Sequence, residues 1–237
     1  MVWDPLGTIG QTLWIGGGQW AGKSTVSRIL ASRYGLTALR CDFQDERAHQ
    51  DRRLADRLRR GLPPPQARPH EDWVEADPAS MAAEAMADFR VRFDWLLDDL
   101  RSLYSGRPII AEGWALRPEL VGPLLDSPRR MIVMVPTEEW RQHQVLVLPR
   151  AVARVQQASD PQRAQRNRIA RDRLVAEDAV RSARALGMRV ITVDGSVDAD
   201  HIADIVADHF SPYLPSADHA GGISAASRPA APMPVDL

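Results

Sequence analysis

Five short, largely apolar, β-leaning runs punctuate the chain: 12–16 (TLWIG), 36–41 (LTALRC), 108–111 (PIIA), 131–135 (MIVMV) and 188–193 (MRVITV). Between them the apolar spacing turns helical. In KSTVSRILASRYG, Val26, Ile29, Leu30 and Tyr34 share one helical face, and Gly35 supplies a stop. Residues 78–104 predict a helix carrying Met81, Met86, Phe89, Phe93, Leu96, Leu97 and Leu100. Another runs from about 161 to 186. Its second half sets Val175, Ala176, Ala179, Val180, Ala183 and Leu186 on one side. Thr137 is placed to cap a helix with Glu138 and Glu139 in its first turn, and 198–210 predicts the last helix. Strands apolar throughout, alternating with helices, predict an α/β domain whose parallel sheet is covered on both faces.

Two segments break the pattern. Residues 44–72 are polar, arginine-rich and broken by three consecutive prolines at 63–65, and read as a mobile excursion. Residues 215–237 are rich in Ala, Ser, Pro and Gly and read as a disordered tail to a single domain spanning 1–214. There are 30 basic and 31 acidic residues, so bulk attraction to nucleic acid or to an anionic membrane is not expected. A single cysteine, Cys41, excludes an internal disulfide framework. Without an N-terminal leader pattern or a long apolar run, it predicts a cytoplasmic protein.

The stretch GGGQWAGKST at 16–25, between the first strand and the first long helix, carries the most specific chemistry. Two phosphate-binding patterns fit it. Gly16, Gly18 and Ala21 match G-x-G-x-x-A, a dinucleotide turn, and Asp42 at the end of the second strand could serve as its ribose-binding acid. That pattern gives no reason for Lys23 and Ser24. Gly17 to Ser24 match G-x-x-x-x-G-K-S, a P-loop. There the amides of Gly17, Gly18, Gln19, Trp20, Ala21, Gly22, Lys23, Ser24 and Thr25 cradle phosphates. The Lys23 ammonium reaches the terminal ones, and the Ser24 hydroxyl holds Mg²⁺. The P-loop accounts for more of the residues. Trp20 is expected to pack on a lid or a neighbouring helix; the alternative is that it lines the mouth of an acceptor pocket.

Three further groups fall where strand ends line the crevice of an open α/β sheet. Asp42 ends the second strand and could take the proton of an acceptor hydroxyl, with Asp45 in reserve; the competing role for Asp42 is a helix cap. Glu112-Gly113 ends the third, an acid able to hold Mg²⁺ through water or to touch the acceptor, beside a glycine that permits close approach. Arg117 is near enough in sequence to join them. Finally, Arg163, Arg166, Arg168, Arg171 and Arg173 crowd the start of the 161–186 helix. Extending its apolar face backwards turns Arg168 and Asp172 inward with Arg171 flanking, where arginines could offset phosphoryl charge.

In combination these features resemble the P-loop small-molecule kinases: shikimate kinase, gluconate kinase, chloramphenicol phosphotransferase and the nucleoside monophosphate kinases. The resemblance covers about residues 10–210. It implies a three-layer sandwich with a five-stranded parallel sheet in the order 2-3-1-4-5 and a helical lid. It implies Mg²⁺-ATP as donor and a small-molecule acceptor. It also places Gly195 and Ser196 near the adenine, 44–72 on the acceptor and 137–173 in the lid region. The arginine and glycine-triplet set of shikimate kinases is not found here. The remaining arginines, Arg52, Arg53, Arg57, Arg59 and Arg60, read as a solvated face, and His49, His70 and His143 as surface residues without metal spacing. A nucleotide-driven switch and a polynucleotide 5′-end kinase are the alternatives. The scarcity of aromatic residues among the arginines speaks against the second.

Overall fold

A computed structural model describes residues 3–63, 71–103, 105–153 and 155–215. The expected disordered tail and His70 lie outside the described residues. Five strands, β1 (Leu13–Gly17), β2 (Thr37–Arg40), β3 (Ile109–Glu112), β4 (Met131–Pro136) and β5 (Arg189–Val193), form one sheet in the order β2-β3-β1-β4-β5. Every pairing is parallel. Each observed strand lies within a residue or two of its apolar run.

Ahead of β1 stands α1 (Thr8–Gln11), and α2 (Lys23–Tyr34) connects β1 to β2. Between β2 and β3 come α3 (Cys41–Glu46), α4 (Ala48–Arg59), α5 (Asp72–Glu75) and α6 (Pro78–Ser102). A short α7 (Pro118–Val121) follows β3. Between β4 and β5 run α8 (Glu138–Val147), α9 (Pro149–Ala153) and α10 (Pro161–Ala185), and α11 (Ala199–Phe210) follows β5.

The sheet separates two cores, because alternate residues of each buried strand point to opposite faces. On one side Trp14, Leu39, Ala111, Met131 and Val133 pack against Phe93, Leu97 and Leu100 of α6 and Ala176, Ala179 and Ala183 of α10. On the other, Leu13, Ile15, Ile132, Met134 and Ile191 meet Val26 and Leu30 of α2 and Val206 and Phe210 of α11. Leu30 and Leu100 are fully buried. Truncating such a side chain to alanine costs about 2–5 kcal/mol.

Local chemistry fixes the helix starts. Thr137 accepts from the Trp140 amide as expected, and Asp77, Asp160 and Asp198 cap α6, α10 and α11 the same way. Within the excursion between β2 and β3, 48–59 is a regular helix. Its arginines are held by acids of its own surroundings, Arg53 on Asp45, Arg52 on Asp99 and Arg60 on Asp56. His49 corrects the expectation of a surface residue. It is buried, with Nε2 at 2.8 Å from Asp99 and Nδ1 at 3.5 Å from Asp45. Among the described residues no helix is long and apolar enough to cross a membrane.

Candidate functional site

The glycine-rich loop leaves β1 through Gly17, whose φ of 115° lies in the region that favours glycine. A Cβ there would stand 2.2 Å from the Met134 carbonyl oxygen, so the residue must be glycine for the loop to lie against β4. The Gly18 amide donates to that same carbonyl at 2.8 Å. The loop turns back at Trp20 (φ 70°) and Gly22 (φ 78°), and α2 begins at Lys23 with no side chain capping its first amides. Those amides can serve an external anion. Lys23 is buried, and its ammonium donates to the neutral Gly18 carbonyl at 2.6 Å. A buried cation whose hydrogen bond ends on a carbonyl is suited to an anionic ligand.

A cavity of about 860 Å³ opens over this loop. Gln19, Trp20, Ala21, Gly22, Lys23, Ser24 and Thr25 line it, while Gly17 and Gly18 shape the loop from behind. One end is walled by Trp140, Gln144, Leu148, Val193, Val197 and Ile202. Gly195 and Ser196 are not in that wall. Gly195 (φ 81°) lies beneath the Trp140 ring, where a Cβ would come within 2.3 Å, and Ser196 hydrogen-bonds Asp194.

At the other end the strand tips meet. The sheet register pairs Arg40 and Ile15 with Glu112, so all three lie level. Glu112 is 1% exposed and 3.6 Å from the Arg40 guanidinium, and its Oε2 is buried without a hydrogen-bond partner. Burial, then the Asp42 carboxylate, push its pKa up; Lys23, the Ser24 hydroxyl and Arg40 counter this. An unsatisfied buried carboxylate oxygen beside a serine hydroxyl fits a Mg²⁺ ion or its water shell. Asp42 lies in the first turn of α3 rather than at the end of β2. Its Oδ1 accepts from the Trp114 amide at 2.7 Å, and it lines the cavity. Gly113 sits against it, since a Cβ there would be 2.9 Å from Cys41 Cβ and 3.1 Å from Asp42 Oδ1. Cys41 is buried, and burial raises its thiol pKa well above the usual range, with Asp42 adding to the effect.

Asp45 is placed differently from Asp42. Although it borders the cavity, its carboxylate binds both Arg53 and Arg92. Arg92 also pairs with Asp88 at 2.8 Å; burial lowers its pKa to about 10, so it stays charged at neutral pH. Two cations on one carboxylate leave Asp45 poorly placed to accept a proton. Arg117 does not reach the cavity. It is buried against α10, donating to Val175 O at 2.9 Å and bridging Asp178 and Glu119.

Arg168 and Arg171 do line the cavity, whereas Arg163, Arg166 and Arg173 are exposed. Arg168 donates to Ala151 O at 3.2 Å and lies over the rings of Trp20 and Trp73. Arg171 bonds the buried Asp172 at 2.7 Å and lies over Trp73 and Trp114. Each such stacking contributes about 0.5–2 kcal/mol. Trp20 packs with Val145, Ala151 and Leu148 of the α8–α9 segment, as one expectation had it, and also borders the cavity. Sequence reasoning missed Trp73, Trp114, Trp140 and Arg92. The only signal for the three tryptophans was the chain's total of seven, many for a protein with four phenylalanines.

No family model and no curated protein matches the chain. Among solved structures it is similar to a shikimate kinase from Acinetobacter baumannii in complex with shikimate. The identity is 15% and the TM-score 0.46, covering 85% of this chain and 93% of that one. It is also similar to a sugar kinase from Janibacter, solved without ligand, at 12% identity and TM-score 0.39, covering 86% and 98%.

Proposed function

We propose that the chain is an ATP-dependent phosphotransferase that moves the γ-phosphate to a hydroxyl of a small molecule. One observation carries the reading. A buried ammonium and an uncapped helix N-terminus share a single cavity with a carboxylate, Asp42, and two arginines, Arg168 and Arg171. The loop amides and Lys23 hold the phosphate tail, and the apolar end at Trp140, Val193 and Ile202 takes the base. Ser24 and Glu112 would hold Mg²⁺, which when bound offsets phosphate charge. Asp42 orients the acceptor hydroxyl and takes its proton as the oxygen attacks phosphorus and the bond to ADP breaks. Arg168 and Arg171 offset the charge spread over the transferring group. The α8–α9 segment and the start of α10 form a lid that excludes water. In α4, Arg52 and Arg53 are paired with nearby acids and Arg57 bonds the Pro63 carbonyl, which weighs against a strand-binding surface.

The test is a panel of metabolites and antibiotics with labelled ATP, comparing the native protein with Lys23→Ala and Asp42→Asn. Label is expected to pass to one acceptor class, with Lys23→Ala losing ATP binding and Asp42→Asn losing transfer while still binding ATP. Full transfer by Asp42→Asn sinks the base assignment. ATP turnover with no labelled acceptor favours the nucleotide-switch alternative.

A further inference from the structure

Three tryptophans line the phosphate side of the cavity, and such a wall ordinarily offers platforms for a planar ligand. Here arginines lie over the rings instead. Arg168 stands 5.2 Å from Trp20 and 5.5 Å from Trp73, and Arg171 stands 5.2 Å from Trp73 and 4.9 Å from Trp114. Five side chains thus alternate, ring and guanidinium, from the glycine-rich loop to the turn after β3. Among the described residues Trp73 is the ring that meets both arginines.

The backbone of Trp73 is held by the same helix that supplies the arginines. Asn167 Nδ2, one residue before Arg168, donates to Trp73 O at 3.0 Å and lies 3.4 Å from Val74 O and 3.3 Å from Ala76 O. Glu71 accepts from the Ser159 amide at 3.1 Å, just ahead of α10. Val74 packs with Val155, Ala158 and Ala164. At four residues α5 is too short to be stable alone, so it takes its position from α10.

An arginine side chain has several rotatable bonds and needs partners to fix its plane. Arg168 donates to the Ala151 carbonyl and the Gln165 amide oxygen, and the rings of Trp20 and Trp73 lie against its guanidinium. Ring stacking restrains the plane of each guanidinium.

We propose that Trp73 is a positioning residue for both Arg168 and Arg171. Through it α5, from the segment between β2 and β3, and the first half of α10 act as one unit. The elements that face the acceptor and the cations that face the terminal phosphate are then placed together. The inference rests on the phosphotransfer reading, since it assigns both arginines to the γ-phosphate.

The experiment needs no knowledge of the acceptor. A fluorescent non-hydrolysable ATP analogue and the matching ADP analogue are titrated into the native full-length protein, Trp73→Phe, Trp73→Leu, Arg171→Ala and the Trp73→Leu/Arg171→Ala double variant. The native protein is expected to prefer the ATP analogue. Trp73→Leu, apolar but smaller and without a ring, is expected to weaken the ATP analogue about ten-fold and to leave the ADP analogue within about two-fold. Trp73→Phe keeps most of the preference, which a purely space-filling role would not require. Arg171→Ala gives part of that loss, and the double variant falls less than about two-fold below Trp73→Leu alone. The proposal is overturned if the native protein binds both analogues equally. It is also overturned if Trp73→Leu weakens both together or neither, or if the two losses multiply in full. A native protein that binds neither analogue overturns the phosphotransfer reading itself, a result distinct from those.

Discussion

The Trp114 amide donates to Asp42 Oδ1 at 2.7 Å, so the turn after β3 aims the carboxylate at the head of α3. Gly113 makes this approach possible, because a side chain there would press on Cys41 and on the same Oδ1. Gly113→Ala is therefore expected to rotate Asp42 while sparing the phosphate-binding loop. ATP turnover should fall about 10–100-fold, the usual consequence of a catalytic group displaced by about an ångström. Equilibrium binding of a fluorescent ATP analogue should stay within about two-fold. Loss of binding and turnover together would place Gly113 in nucleotide binding instead.

Glu112 ties stability to pH. Its pKa is raised in the folded protein, chiefly by burial and then by Asp42. Folding therefore favours its protonated form. The stability it contributes is complete below the ordinary carboxylate range and is lost as pH rises through the raised value. Glu112→Gln removes that loss. Without nucleotide or metal, its Tm should exceed that of the native protein by a few degrees at neutral pH, and the gap should close as pH falls toward 4.5. The same variant should need more Mg²⁺ for turnover. A gap that widens on acidification would contradict the assignment.

Asp42 and Asp45, three residues apart, are expected to fail in opposite ways. Asp45 holds Arg53 and Arg92, and its replacement leaves the partly buried Arg53 without this partner and the buried Arg92 with Asp88 alone. Asp45→Asn should cost about 3 kcal/mol in urea unfolding, in line with removing one partner of a buried pair. Asp42→Asn should leave the unfolding midpoint close to native and abolish transfer.

Trp20 is the single non-glycine residue with positive φ among those described. Backbone strain of this kind amounts to about 1–3 kcal/mol, and a glycine would relieve it. The ring also fills the space between Val145, Ala151 and Arg168, and losing a buried tryptophan costs about 3–5 kcal/mol. The packing loss is the larger, so Trp20→Gly should be less stable by about 2 kcal/mol. Chemical denaturation checks the sign; a more stable variant would mean that strain dominates the loop.

The sheet was legible because its three central strands are buried throughout and its five β-leaning runs are separated by helical spacing, a pattern open to few other folds. The glycine-rich loop was legible because its spacing is imposed by backbone geometry. Arg168 and Asp172 were found by running the α10 periodicity backwards, which works because a helix keeps its phase. Other residues depend on partners far along the chain. Arg117 has the same chemistry as the cavity arginines, and only the arrival of Asp178 and Val175 from α10 shows that it is structural. His49 is buried because Asp99 of α6 reaches it. Trp73 belongs to a four-residue helix that carries no periodicity of its own. In α4 the many arginines outweighed the i, i+4 repeat of Leu54 and Leu58, so the segment read as a polar excursion with a solvated face.

Cys41 is the chain's sole thiol, and it is enclosed beneath the turn that carries Gly113, next to Asp42. Alkylating reagents attack thiolates that they can reach, and this sulfur is both shielded and held protonated. Its rate of modification therefore serves as a clock for parting of the β2 and β3 tips. Ligands that hold those tips together will slow that clock, and any that wedge them apart will quicken it.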